Sequence, residues 1–282
     1  MKNKIIIGTA NFGNRYGILK EKAKLGQIKK ILNNGHKLGL RYLDAAEDYN
    51  SFNQIKKKAK KYNIFIKIDF SKLNYNKNFL NFEKEFFKNL KNLGLNKVYA
   101  LTFRKPEFIL KKKNNQLVNK IKKLKNQKLI KKFGISIYKK KQFKKVINIL
   151  KPDYIQIPVN FIFRDVINQK EVKMLKKKGI EIHARSLFLQ GLLLNNFRKL
   201  PSKIFKGLKK KKLKKFFLKD KKYRISYCIE YALNKNIDKL LLGINSLKQL
   251  KDFLNYKKDK NINLKEFFFR EKRLFNPLEW NY

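Results

Sequence analysis

The sequence predicts an α/β fold, a closed (β/α)8 barrel in a single domain over residues 1–282. Three observations predict it: about eight short apolar runs each followed by apolar residues at helical spacing, no composition break between them, and polar residues gathered where the runs end. The first run, Ile5-Ile6-Ile7-Gly8, is β-branched and closed by glycine, the form of a buried parallel strand. Leu25, Ile28, Ile31, Leu32 and Leu38 then recur on one helical face before Gly39. Further strands are expected at Tyr42 to Asp44, Ile64 to Ile68, Val98 to Phe103, Phe133 to Ser136, Tyr154 to Pro158, Ile180 to Arg185 and Lys239 to Gly243. Between them fall helical patterns such as Ile55/Ala59/Tyr62, Phe79/Phe82/Phe86/Phe87/Leu90, Leu117/Ile121/Leu124, Phe143/Val146/Ile147/Leu150, Val172/Leu175 and Ile225/Ile229/Leu233. Five prolines and twelve glycines, with no repeat, mark no linker.

Hydrophobic residues at 43% allow a sizeable core. The apolar runs are interrupted by lysine, and none approaches the ~20 residues of a membrane span. The start, Met1-Lys-Asn-Lys-Ile-Ile-Ile-Gly, holds too short an apolar run for a secretory signal, and the single Cys228 excludes an internal disulfide, so a cytoplasmic protein is expected. The charge is extreme: 72 Lys+Arg against 20 Asp+Glu, a net +52. One reading is a binder of nucleic acid or an anionic surface, driven by counterion release. The other is an AT-rich coding vocabulary in which lysine fills solvent-facing positions. The lysines run from Lys20 to Lys272 instead of forming one arm, which favours the second, and specific nucleic-acid binding is not expected. The densest run, Gly207 to Lys222, reads first as a solvated helix face or loop.

The chemistry centres on Gly39 to Tyr49, an apolar strand ending on Asp44 with a phenol, Tyr49, five residues later. Lys67 lies inside the apolar run Ile64-Phe65-Ile66-Lys67-Ile68, where a charge is costly unless paired. A phenol serves as general acid when a neighbouring ammonium, held by a carboxylate, lowers its pKa from about 10. Asp44, Tyr49 and Lys67 are the groups such chemistry needs.

Asp44-Ala-Ala-Glu-Asp-Tyr49 resembles the D-[TA]-A-x-x-Y signature of the aldo/keto reductases, with Lys67 where that family keeps its lysine. The resemblance extends from Ile7-Gly8-Thr9 through Gly134-Ile-Ser136, Gln156-Ile-Pro-Val-Asn160, Arg185-Ser-Leu-Phe-Leu-Gln190-Gly191-Leu192 and Leu242-Gly243-Ile-Asn-Ser246 to Asn276-Pro277-Leu-Glu-Trp280. It implies reduction of a small-molecule carbonyl compound by hydride from a nicotinamide cofactor, with Tyr49 delivering the proton and Lys67 and Asp44 assisting. There is no G-x-G-x-x-G, and the cofactor is expected to lie extended across the barrel mouth. Residue by residue, Ser136 and Gln156 match the groups that hold the carboxamide of the nicotinamide, and Ser186, Phe188, Gln190 and Gly191 the loop along the pyrophosphate. Gly243, Asn245, Ser246 and Gln249 match the loop at the adenosine end, and Gly8 and Thr9 are carried over with the first strand. NADPH is the family default, with NADH left open because Asn245, Ser246 and Lys248 supply no arginine for a 2′-phosphate.

Three positions depart from the family pattern. Arg104, in Leu101-Thr102-Phe103-Arg104-Lys105-Pro106, stands in place of the histidine that polarises the substrate carbonyl. Arg185 replaces the residue that stacks on the nicotinamide, and Ile137 an asparagine. Arg104 donates hydrogen bonds but shuttles no proton. Two outcomes stay open: a reductase biased toward anionic or sugar-derived substrates, or a cofactor-binding or interaction barrel with weak catalysis. His36 is expected at the surface or in packing, His183 in the core, and the protein as a monomer.

Overall fold

The computed structural model describes residues 1–69, 80–104, 115–138, 143–162, 167–196, 210–258, 262–264 and 266–267. Eight parallel strands close into a barrel in chain order: β1 Ile5–Gly8, β2 Tyr42–Ala46, β3 Asn63–Asp69, β4 Val98–Arg104, β5 Ile130–Ser136, β6 Tyr154–Pro158, β7 Glu181–Arg185 and β8 Lys239–Gly243. β1 pairs with both β2 and β8, so no strand edge is left open. The helices are α1 Ala10–Gly13, α2 Leu25–Lys37, α3 Phe52–Ala59, α4 Leu80–Leu93, α5 Asn115–Asn126, α6 Phe143–Leu150, α7 Gln169–Lys177, α8 Lys210–Leu218, α9 Lys221–Leu233 and α10 Leu247–Leu254. Among the described residues no helix is long and apolar enough to cross a membrane.

The alternation of a strand splits each run between two cores. Ile5 and Ile7 pack outward against helices, whereas Ile6 joins Phe65, Ala100 and Tyr154 in the lumen. Gly134 admits the largest lumen side chain, since a Cβ there would fall inside the ring of Tyr154. Tyr154 in turn stacks on His183 at 4.5 Å between centroids. The lumen is therefore filled, and ligands are confined to its ends.

Some elements differ from the sequence-based expectation. β2 continues two residues past Asp44, because that carboxylate is satisfied inside the barrel and need not mark the exit to solvent. Leu25 and Phe87 are 63% and 48% exposed: the first opens its helix outside the contact zone, and the second sits one residue off the face formed by Phe82, Phe86 and Leu90. Phe79, Lys105, Pro106, Gly207 to Lys209 and the closing Asn276 to Trp280 lie outside the described residues.

Candidate active site at the carboxyl rim

The candidate residues lie on the strands and on the segments that follow their carboxyl ends. Asp44 on β2 and Lys67 on β3 meet in the lumen, where Lys67 Nζ donates to Asp44 Oδ1 at 2.7 Å with side chains 4% and 1% exposed. Gln156 Nε2, from β6 across the barrel, donates to the second oxygen at 3.1 Å. Burial pushes the Lys67 ammonium below its ordinary pKa, and Asp44 opposes that shift. Removing one partner of such a pair strands a charge, at ~3–5 kcal/mol.

Tyr49 ends a 3-10 turn, Glu47–Tyr49, held from several sides. Thr9 Oγ1 donates to the Asp44 carbonyl at 2.9 Å and lies 2.8 Å from Ser51 Oγ. Asn14 Nδ2 donates to the Asp48 carbonyl at 2.6 Å. Gly13 lies so close beneath the turn that a Cβ would overlap the carbonyls of Tyr49 and Asn50. Lys67 Nζ lies 6.0 Å and Arg104 Cζ 4.9 Å from the centroid of the Tyr49 ring.

Two expectations change here. The phenol of Tyr49 is displaced upward: burial raises its pKa, Arg104 lowers it, and Asp44 raises it again. Lys67 directs its ammonium to Asp44, which cancels much of the field it was expected to exert on the phenol. Arg104 does reach Tyr49, but its guanidinium also forks Asp48 with two bonds of 2.8 Å, which offsets part of its charge and engages two of its N–H donors. Asp48, the signal that sequence reasoning missed, sits beside the phenol in the same motif.

The remaining candidates occupy the facing rim. Ser136 and Gln156 lie opposite each other on β5 and β6. Arg185 ends β7, and the loop after it turns through left-handed backbone at Ser186, Leu189, Gln190 and Gly191. Phe188 packs on Phe253, ring centroids 4.9 Å apart, so its side chain serves the core. Gly8 and Gly243 end β1 and β8 side by side. Ser246 caps α10, accepting from Gln249 N at 3.2 Å, while Gln249 Oε1 accepts from Asn245 N at 2.8 Å. Two residues without a sequence signal join the cluster, Tyr16 and Tyr138, whose phenols fall within electrostatic reach of Arg185 and Lys67. His183 is not at the rim; it is buried lower in the lumen beside Glu181.

Several buried polar atoms in this region have no partner: Gln156 Oε1, Arg185 Nε and Nη2, Asn11 Oδ1 and Asn245 Oδ1. Unmet donors and acceptors of this kind fit a polar, amide-bearing coenzyme lying over β5 to β8. The start of α10 fits less simply, since Leu247 N is already bonded to Gln27 Oε1 at 3.0 Å. A phosphate there would meet side chains and few free amides.

A sequence profile described as the aldo/keto reductase family matches residues 4–267. Among solved structures, the aldo-keto reductase AKR11C1 from Bacillus halodurans (holo form) superposes with a TM-score of 0.67 at 13% identity, covering 96% of this chain and 95% of that one. The apo form of Gox0644 gives 0.64 at 12% identity, covering 99% and 92%. At such identities the likeness speaks for the fold. No curated protein matches the chain. The profile spans most of the sequence and the barrel agrees with it, so the chain belongs to the aldo/keto reductase family, oxidoreductases that act on carbonyl groups with nicotinamide cofactors.

Proposed function

We propose that the protein reduces a small carbonyl compound with hydride from a reduced nicotinamide, with Tyr49 as the proton donor. The observation that carries this reading is the buried Asp44–Lys67 ion pair set beside a rim phenol. Ser136, Gln156, Arg185 and the loops at Ser186 to Gly191 and Gly243 to Gln249 are the residues that would hold the coenzyme, with Gly8 and Thr9 below. NADPH is the first choice and NADH the alternative, since the α10 loop carries Lys248 and no arginine. When bound, the nicotinamide supplies the hydride.

The residues of the chain provide orientation and the proton. Gln156 fixes the Asp44 carboxylate, which favours the charged form of Lys67 against its burial. Asp48 and Arg104 pin the turn and hold the Tyr49 ring under a guanidinium. With its pKa raised, Tyr49 is fully protonated at neutral pH and therefore always loaded as an acid. It gives up its Oη proton when negative charge develops on the substrate oxygen, and Lys67 offsets the charge left on the phenolate.

The test is loss of reduced-nicotinamide absorbance with a panel of aldehydes, keto sugars and keto acids. Tyr49→Phe should lower kcat by ~10²-fold or more. Equal turnover by the variant would remove Tyr49 from the mechanism. The upward shift of Tyr49 favours a second reading, a barrel that binds the coenzyme and turns over little. That reading predicts quenching of protein fluorescence by the nicotinamide without turnover, and recovery of activity in Arg104→His.

A further inference from the structure

The loop after β7 is held in a conformation that its own residues disfavour. Ser186, Leu189 and Gln190 take left-handed φ values of 59°, 45° and 53° without being glycine, and Gly191 follows at 90°. Such backbone persists only where the surroundings fix it. From the segment between α1 and α2, Ile18 N donates to the Gln190 carbonyl at 3.0 Å, and a Cβ at Gly17 would stand 2.7 Å from that oxygen. Within the loop, Asn195 donates to the Gly191 carbonyl twice, from Nδ2 at 2.8 Å and from its backbone N at 3.2 Å.

Arg224 supplies a restraint from α9, a helix whose first turn is capped by Asp220, which accepts from Tyr223 N at 2.7 Å. Arg224 is 7% exposed, and its Nη1 donates to the carbonyls of Leu193 at 2.9 Å and Asn195 at 3.0 Å. These carbonyls close the 3-10 helix Leu189–Leu194, the end at which unmet acceptors and partial negative charge gather. The ring centroid of Phe217, in α8, lies 5.4 Å from Arg224 Cζ. Among the described residues no carboxylate pairs with Arg224, its bonds all go to loop carbonyls, and its buried Nε has no acceptor. Burying a cation in this way is costly, so the loop is held by a group with little else to bind.

We propose that Arg224 is a positioning residue for the coenzyme: through Leu193 and Asn195 it holds the Gln190–Gly191 backbone in the shape that receives the pyrophosphate. This role rests on the assignment of the Ser186 to Gly191 loop to the coenzyme, given above. Arg224 acts through Asn195 and the Gly191 carbonyl, not by contact with the coenzyme. Without the guanidinium, the Leu193 and Asn195 carbonyls lose their donor and the left-handed residues are free to relax. Coenzyme binding must then order the loop again, so the loss falls on affinity and leaves the chemical step little changed.

The test uses the full chain and Arg224→Met, which keeps an apolar side chain beside Phe217 and removes the donors. Hydrogen exchange of the coenzyme-free protein, followed by mass spectrometry, should show Leu189 to Asn195 exchanging at least ~10-fold faster in the variant, with β4 and β5 unchanged. Titration of protein fluorescence with NADPH, and with NADH in parallel, should give a Kd raised ~10-fold or more, the scale of one lost bond to a charged group. The coenzyme KM should rise alike, while kcat at saturating coenzyme moves by less than ~2-fold. Arg224→Lys retains a donor for the two carbonyls and should recover most of the affinity. Where Arg224→Met does not fold, Asn195→Ala removes the Nδ2 bond to Gly191 and should raise Kd by at least ~3-fold. Unchanged exchange in the loop, unchanged Kd in either folded variant, or no recovery in Arg224→Lys overturns the positioning role alone. A parent that binds neither nicotinamide overturns the coenzyme reading itself, and the role of Arg224 with it.

Discussion

At the scale of single residues, partners across the barrel decide what each side chain does. Arg104 was legible as a departure from the family's histidine, but its role depends on Asp48, 56 positions earlier in the chain. Distance along the chain hides such a pair from any local pattern. His183 behaves likewise. Its Nε2 lies 3.0 Å from Glu181 Oε2, while Nδ1 is buried with no partner, so a second proton would sit on a nitrogen that nothing receives. Burial holds the His183 pKa below its ordinary 6.5, with Glu181 opposing. The bond to His183 is the main reason Glu181 sits at about 2. The unfolded chain therefore takes up a proton on this histidine near pH 6.5 that the native state refuses. Stability is unaffected above that pH and falls as pH drops below it, by up to ~1.4 kcal/mol per pH unit. Glu181 adds a second loss between its unfolded value and about 2. Urea midpoints between pH 7.5 and 5 should show the first limb, and His183→Phe should flatten it.

At the scale of elements, strands and helices were readable from periodicity, and the turns that aim the chemistry were not. Asp44 and Lys67 declared themselves as charges in apolar strands. The orientation of Tyr49 instead depends on α1, whose Gly13 packs against the backbone at Tyr49 and Asn50. Gly13→Ala should force the turn away, cost ~1–3 kcal/mol in urea unfolding, and lower kcat along with stability. Gly26 makes the opposite control: it lies inside α2 with nothing within 4 Å of the place a Cβ would take, so Gly26→Ala should stabilise by ~0.5–1 kcal/mol. The family pattern makes Ser246, the N-cap of α10, and Gln249 within it coenzyme contacts. Their hydrogen bonds show that they also close the first turn of the helix, a local capping arrangement.

For the whole molecule, the net +52 is the dominant long-range term. Lysines are not confined to the mouth. A cleft on the opposite, amino-terminal face, among β3, β4 and β5, is lined by Lys60, Lys97, Lys125, Lys128 and Lys131. Spread in this way, the charge acts chiefly as self-repulsion against the compact state. Raising sodium chloride from ~0.01 to ~1 M shortens the screening length from ~30 to ~3 Å and should raise the urea midpoint steadily. A midpoint indifferent to salt would mean that ion pairs such as Lys120–Glu83 and Lys125–Asp153 already offset the repulsion.

By itself the sequence determined the barrel, because eight apolar runs with the periods of strand and helix have few other ways to bury their faces. It also marked Asp44 and Lys67, since charges are conspicuous where the pattern calls for apolar residues, and Tyr49 through the motif that opens on Asp44. Only the tertiary structure decided which charges cancel. Closing the cylinder brings β2 against β3 and the β2 turn against β4, and so joins Lys67 to Asp44 and Arg104 to Asp48 while leaving Nε and Nη2 of Arg185 without a partner. Those pairings follow from side-chain directions around a closed ring, which no stretch of the chain contains alone.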